Sequence, residues 1–538
     1  MNLKGVGASP GVAIAHSYLI RQPDLSVKRQ EGMDPAAETG RYEKAKEQAL
    51  SELDALFEKT AAADPSAAQV FDIHKMMLDD PDFCDGVDSA LASGLNAEYA
   101  VKSSADALIA FLETLENEVM RGRAADVRDV SERMIRILKG LSYDDAMPDG
   151  ETIVLAEDLL PSQTVRLDRE KVAGFVTKRG SVTSHSVILA KTMGIPCVVG
   201  LGDDFDRLPP SGEIAIDGGT GEVAVNPEGA ERESFLLRVE KFKQLKADLA
   251  KYRDVEAVTP KGHKVMVCAN IGSTADAGLA DSFGADGVGL FRSEFVYLES
   301  SGFPSEEKQF AVYRAVLEKL APRPVVIRTL DLGSDKQAPY FNIPEEENPA
   351  LGYRAIRICL KEPEIFRTQL RALLRASVYG TLQIMFPMIT HLAQVLEIKK
   401  IVAQIKSELD AEKLPYSADI QFGIMVETPA AAVMSDVLAK EVDFFSLGTN
   451  DLTQYTMAAD RLNSRIRDIF NPADPAVLRF IEMTAQNAHT NGIWVGICGE
   501  SAADTSLTDF YMSLGIDELS VSPSSVPAVK KAVINCAG

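Results

Sequence analysis

The chain has 538 residues, too many for one hydrophobic core, so roughly two to four domains are expected. Its composition, 46% apolar and 25% charged, is that of an ordinary globular protein, and no run of about 18 or more apolar residues suits a membrane span. The 79 acidic against 56 basic side chains leave a net charge of −23, which excludes non-specific nucleic-acid binding and requires a local cluster of cations to hold any anionic substrate.

Residues 5–20 (GVGASPGVAIAHSYLI) are rich in Gly and Ala with short apolar alternation, which predicts turns and strands and lacks a signal-peptide layout. From Pro35 to about Leu141 glycine becomes sparse and apolar residues recur at helical spacing: Ala45, Ala49, Leu53, Leu56 and Phe57, then Leu108, Leu112 and Leu115. Four or so long helices are expected there. Strand-like runs return after Gly140 at TIVLAE (152–157), VAGFVT (172–177), CVVG (197–200) and EIAID (213–217). The reading is one α/β domain, residues 1–34 and 142–228, interrupted by a helical insertion at 35–141. The charged, helix-period stretch at 231–255 reads as a helical linker within 229–260, or equally as one more surface helix.

After Lys261 eight short apolar runs follow one another: VMVCANI (265–271), DGVGLF (286–291), VVIRTLD (325–331), LQIMFPM (382–388), FGIMVE (422–427), DFFSLGTND (443–451), WVGICGE (494–500) and ELSVS (518–522). Most are separated by helix-period segments, which predicts a (β/α)8 TIM barrel over 261–538. Polar residues sit at or just after the C-terminal ends of the runs: Asn270, Arg292, Arg328, Glu427, Asn450, Asp451, Cys498 and Glu500. In such barrels that rim carries the active site.

Arg292, Arg328, Arg354 and Arg461 suit forked recognition of phosphate or carboxylate. Glu427 and Asp451 suit a magnesium ion whose remaining ligands are water and substrate phosphate. Cys498, in GICGE at a strand end, is either a catalytic group or a small core residue. All six cysteines lack CxxC or CxH spacing, which argues against disulfides or structural zinc and for a reducing, cytoplasmic compartment. A second centre is KRGSVTSHSVILAK (178–191), where Ser184 or Thr183 is placed to cap a helix that begins near His185. A phosphoryl group on His185 would meet backbone amides of that first turn. The other histidines, His16, His74, His263, His391 and His489, have no such surroundings and are read as structural.

Together with HKMMLDDP in the insertion, the segments GVGASPGVAIA, TSHSVILAK, DGVGLFRSEFVYL, RTLDLGSDK, NPALGYRAIR, MVETPAAA, SLGTNDLTQYTMAADR and GICGE resemble, in order and along nearly the whole chain, the Enzyme I family of phosphoenolpyruvate-protein phosphotransferases. The resemblance implies that His185 is phosphorylated from phosphoenolpyruvate. It implies binding of that substrate by Arg292, Arg328, Asn450 and Arg461, with Lys336 and Arg354 nearby. Glu427 and Asp451 would ligate Mg2+, and Cys498 would protonate the enolate to pyruvate. The helical insertion would dock the histidine-containing phosphocarrier protein HPr, and barrels would pair into a homodimer. Because His185 and the substrate lie on different domains, a hinge about residues 225–262 is implied. Two positions depart from the family: Ser181 replaces a glycine and Lys191 an arginine. The resemblance also implies a further helix beyond the eighth strand, expected to be missing or trimmed by Gly538, and no sensory domain ahead of the Gly-Val-Gly start. Rival readings are a pyruvate phosphate dikinase or phosphoenolpyruvate synthase relative lacking the ATP domain, and a non-catalytic regulatory relative.

Overall fold

The computed structural model describes the chain except residues 21–23, 62–64, 115–117, 142–149, 160, 165–166, 169, 181–183, 299, 301, 334–339, 342, 344–345, 462, 467 and 538. Two compact units form, Met1–Lys246 and Ala247–Gly538.

The first unit is built on a mixed sheet of β1 (Asn2–Lys4), β2 (Val6–Ser9), β3 (Val12–Leu19), β4 (Thr152–Ala156), β5 (Val172–Thr177), β6 (Cys197–Val199), β7 (Glu213–Asp217) and β8 (Glu222–Val225). Their order is β1-β8-β7-β3-β4-β5-β6-β2. All five residues of β4 are buried, the pattern of a parallel strand covered on both faces, and β4 is parallel to both β3 and β5. Sequence reading missed β8, whose four residues (EVAV) are too few for a periodic signal.

Among the described residues between β3 and β4 run five helices, where four or so were expected: α1 (Pro35–Ala61), α2 (Pro65–Leu78), α3 (Pro81–Ala92), α4 (Ala97–Thr114) and α5 (Glu118–Leu138). The apolar period carries across Pro65 and Pro81, but each proline opens a new helix, where its missing N–H has no bond to lose. Ala45, Ala49, Leu53 and Leu112 are buried as their spacing predicts, with Leu56, Phe57 and Leu108 packed at the margin of the same core. The short α6 (Pro161–Thr164) follows β4, and α7 (His185–Met193) lies between β5 and β6. Val187 and Ala190 of α7 are fully buried, and the helix ends at Gly194 (φ 62°), whose N–H bonds the carbonyls of Ala190 and Lys191. From the first unit α8 (Gly229–Ala250) leads into the second.

In the second unit a two-residue strand β9 (Ala257–Val258) precedes β10 (Lys264–Ile271), β11 (Val288–Arg292), β12 (Pro324–Arg328), β13 (Thr381–Phe386), β14 (Gln421–Val426), β15 (Phe444–Leu447), β16 (Trp494–Ile497) and β17 (Glu518–Val521). Each of β10–β16 pairs in parallel with the next, and β17 pairs with β10, which closes an eight-stranded parallel barrel. Every sequence-predicted run contributes one strand. Inside, Leu290, Val326, Met385, Met425, Phe444 and Cys498 form one cluster, with Phe444 stacked on Trp494 at 4.4 Å. Outside, the helices bury a second and larger apolar layer against the strands. A helix, Val526–Ile534, follows β17, so the expected final helix is not missing. It buries Val526, Val529 and Val533. Its Lys530 ammonium, 2% exposed, bonds Asp286 at 2.8 Å. No helix among the described residues is long and apolar enough to cross a membrane.

Candidate active site

The C-terminal ends of the barrel strands bring most of the sequence-predicted side chains to one rim. Arg292 and Arg328 are the last residues of β11 and β12. Glu427 and Cys498 come directly after β14 and β16, and Asn450 and Asp451 open the helix Thr449–Met457 that follows β15.

Arg328 is the best-held of these groups. Its Nη2 lies 2.7 Å from Glu294 and its Nη1 2.9 Å from Asp331, while Arg354 Nη2 reaches the other oxygen of Asp331 at 3.1 Å. All four side chains are buried. Burial alone would lower the Arg328 pKa, but Asp331, Glu294 and Glu427 more than offset it, and the guanidinium stays charged. Its fork, read from sequence as free for a substrate, is thus partly occupied by protein carboxylates. The buried Nε–H has no acceptor among the described residues and remains a donor for a ligand. Neither Glu294 nor Asp331 was singled out from sequence, although both lie in the segments FRSEF and RTLDL.

Glu427, 1% exposed, accepts a 2.6 Å bond from the N–H of Met388, a residue at φ 57° just past β13. Burial, then the charges of Asp451 and Asp331, push its carboxyl well above the usual carboxylate range, with Arg328 acting the other way. Carboxylates that repel each other in a buried rim are relieved by a hard cation. No group of three or more metal-ligating side chains occurs among the described residues; Glu427 and Asp451, whose charges act on each other, offer two oxygen donors. That is a magnesium-like donor set, because magnesium keeps water and substrate oxygens.

Arg461 lies 3.6 Å from Asp451 and is one-third exposed, and the Asn450 side chain accepts from the N–H of Glu500 at 3.2 Å. Arg292 is exposed and makes no ion pair among the described residues. Lys336 falls outside the described residues. Cys498 is 5% exposed, its Sγ 3.7 Å from the carbonyl of Leu447. Asn270 Nδ2 donates to the carbonyls of Cys498 and Ser520, each at 3.1 Å, and so ties β16 to β10 and β17. Burial pushes the Cys498 thiol up to about 12, opposed by Ser446 and Arg328. At neutral pH the group is therefore a thiol, a proton donor and not a nucleophile.

In the first unit α7 begins at His185 as predicted, with Ser184 at the N-cap in extended conformation. The Ser184 hydroxyl does not bond a helix N–H as expected; it lies 3.3 Å from that of Ser186. Thr183, Ser181 and the side chain of His185 lie outside what is described.

Three family models cover the chain: the PEP-utilising enzyme N-terminal domain at residues 4–123, the mobile domain at 148–221 and the PEP-binding domain at 246–537. The phosphoenolpyruvate-protein phosphotransferase of Staphylococcus carnosus is 41% identical over 536 residues, 99% of this chain and 93% of its own. That of Enterococcus faecalis is 44% identical over 530 residues, 97% of this chain and 92% of its own. A solution structure of Enzyme I aligns with 45% of this chain and 99% of its own at 31% identity and a TM-score of 0.38. The two phosphotransferases and the family models favour the transferase reading over a dikinase or synthase without its ATP domain. The chain belongs to the family of phosphoenolpyruvate-protein phosphotransferases, Enzyme I.

Proposed function

We propose that this chain takes the phosphoryl group of phosphoenolpyruvate onto His185, releases pyruvate, and passes the group to the phosphocarrier protein HPr. The observation that carries the reading is the buried Glu294–Arg328–Asp331–Arg354 network beside two carboxylates and a protonated thiol. Four guanidiniums (Arg292, Arg328, Arg354, Arg461) face four carboxylates (Glu294, Asp331, Glu427, Asp451), so the rim is near neutral before a ligand arrives. A multiply charged phosphate ester then needs further positive charge. Glu427 and Asp451 would hold a magnesium ion, which when bound supplies that charge at the phosphoryl oxygens, and Lys336 would add to it.

Arg292, Arg328, Asn450 and Arg461 bind and orient the ester, with Arg354 held against Asp331 close behind. A neutral imidazole at His185 attacks phosphorus in line, where the arginines spread the negative charge. The enolate left behind takes its proton at carbon from Cys498. The helical insertion at 35–141 docks HPr, the segment about 225–262 acts as the hinge that lets His185 visit both sites, and barrels pair as a homodimer in the cytoplasm.

Incubation with labelled phosphoenolpyruvate and magnesium tests the central step. The native chain is expected to acquire acid-labile label, and His185→Ala none, with its circular dichroism unchanged. Undiminished label on that variant would place the phosphoryl group elsewhere.

A further inference from the structure

Protonation of the enolate leaves Cys498, 5% exposed, as a buried thiolate, and every turnover has to restore the S–H bond. The side chains beneath Cys498 inside the barrel show how this can be done without the substrate mouth. Ser446 on β15, Gly496 on β16 and Glu518 on β17 lie in one register row, Ser446 opposite Gly496 and Gly496 opposite Glu518. Cys498 is two residues beyond Gly496, on the same side of the chain in strand geometry. Ser446 and Glu518 are 1% and 4% exposed.

Gly496 and Gly289 keep the space around the Glu518 carboxyl clear. A Cβ on Gly496 would lie 3.2 Å from Glu518 Oε1, and one on Gly289 only 2.3 Å from it. Glu518 Oε1 and Ser446 Oγ, on either side of Gly496, are both buried without a well-directed hydrogen-bond partner among the described residues. Buried polar atoms are normally satisfied, and two of them flanking a glycine suit one bridging water. Gly496 has no side chain to obstruct it.

We propose that Glu518 returns to Cys498, through the Ser446 hydroxyl, the proton that the thiol gives to the enolate. The proposal rests on Cys498 being the acid of the reaction. In the first step the S–H bond breaks, its electron pair stays on sulfur and a C–H bond forms on the enolate. In the second, sulfur takes the Ser446 proton, Ser446 takes one from the bridging water, the water takes that of Glu518, and a carboxylate remains. Solvent then reprotonates the carboxylate.

The groups facing Glu518 suit this role. Burial pushes its carboxyl up to about 7, with the neighbouring Asp517 adding to the rise and the Cys268 thiol on β10 bonding to it and acting the other way. Asp517 is in turn flanked by His489 at 3.6 Å and His263 at 4.0 Å. The Glu518 charge itself raises the Cys498 pKa. Transfer from a carboxyl near 7 to a thiolate whose conjugate acid is near 12 runs downhill.

The test is quenched-flow pyruvate formation by the full chain with magnesium, phosphoenolpyruvate and excess HPr. The first turnover uses the proton already on sulfur, and later turnovers need the relay. Glu518→Gln is expected to make its first pyruvate at the native rate and to slow later turnovers about tenfold or more. The native later-turnover rate is expected to fall as pH rises through about 7, where Glu518 loses its proton, and the variant to lack that step. Ser446→Ala, which cuts the path between Glu518 and sulfur, should slow later turnovers and lose the pH step in the same way, and it serves should Glu518→Gln fail to fold. Native later turnovers in both variants, or equal losses in first and later turnovers, overturn the relay. Absence of pyruvate from the native first turnover would instead overturn the function on which it rests.

Discussion

At the barrel rim Arg328 and Arg354 are buried and held by two buried carboxylates at 2.7–3.1 Å. At the start of α7 the N-cap side chain takes no helix N–H, and the first turn offers mainly its backbone amides. The first arrangement holds charge in place before the substrate arrives, so little reorganisation remains to be done when negative charge shifts. Among the described residues the second offers an anion a helix end, worth about 0.3–2 kcal/mol. Under the proposed function, in which a phosphoryl group is gripped at the donor and given up to an acceptor, strong preorganisation suits the barrel and weak holding suits α7.

Replacing Cys498 by Ala tests the strong end most severely. Phosphoenolpyruvate binding, measured by calorimetry, should persist because the arginines and acids remain, while pyruvate turnover falls by about 10²- to 10⁴-fold. Phosphohistidine loaded from phosphorylated HPr should still return its group to HPr at the native rate, since no carbon is protonated in that step. Near-native turnover would return Cys498 to the role of a small core residue.

Asp331→Ala tests whether the rim is held as tightly as its distances indicate. It strands Arg328 and Arg354 one carboxylate short, and loss of a buried partner costs about 3–5 kcal/mol. The barrel's urea midpoint should drop accordingly, and phosphoenolpyruvate affinity with it. A variant of native stability would mean that Glu294 alone suffices to hold Arg328.

A smaller effect is expected at Glu132 in α5, whose carboxyl burial pushes up to about 7, with Asp129 and Glu157 adding and Arg128 and Lys102 opposing. A carboxyl with a raised folded pKa stabilises fully below its unfolded value, near 4.5, and loses that contribution as pH rises through about 7. Glu132→Gln should therefore gain on the native protein between pH 5 and pH 8, by a few degrees of Tm at most. A constant difference across that range would place the shift elsewhere.

The barrel strands were legible because buried parallel strands are short apolar runs, and the residues that end them are polar where a site needs them. Arg328, Glu427 and Cys498 could be found on that ground alone. Glu294 and Asp331 could not: an acid two or three residues after an arginine reads as a local surface pair. What matters is the bond from Glu294 on the β11 side to Arg328 on β12, 34 residues apart. Glu518 was hidden in the same way, an acid opening a strand being indistinguishable from one leaving the core. The extra helix break at Pro81 was legible as a proline, but the apolar period ran through it. Ser446 carries no sequence signal at all, since a serine in a strand is ordinary until its neighbour across the barrel is known.

The ring of strands also constrains how the protein is made. Asn270 on the first barrel strand is bonded by Ser520 on the last, 250 residues later, and holds the carbonyl of Cys498, 228 residues away. The first cannot form until the ribosome has delivered β17, and the second not until it has passed Cys498. Pairings so distant in sequence are slow to find, and the unpaired edges of β10 and β16 stay open to wrong partners meanwhile. The thiol is thus locked into position only once nearly the whole barrel has been synthesised, so a stalled or truncated nascent chain could display the arginines of the rim yet leave Cys498 unanchored.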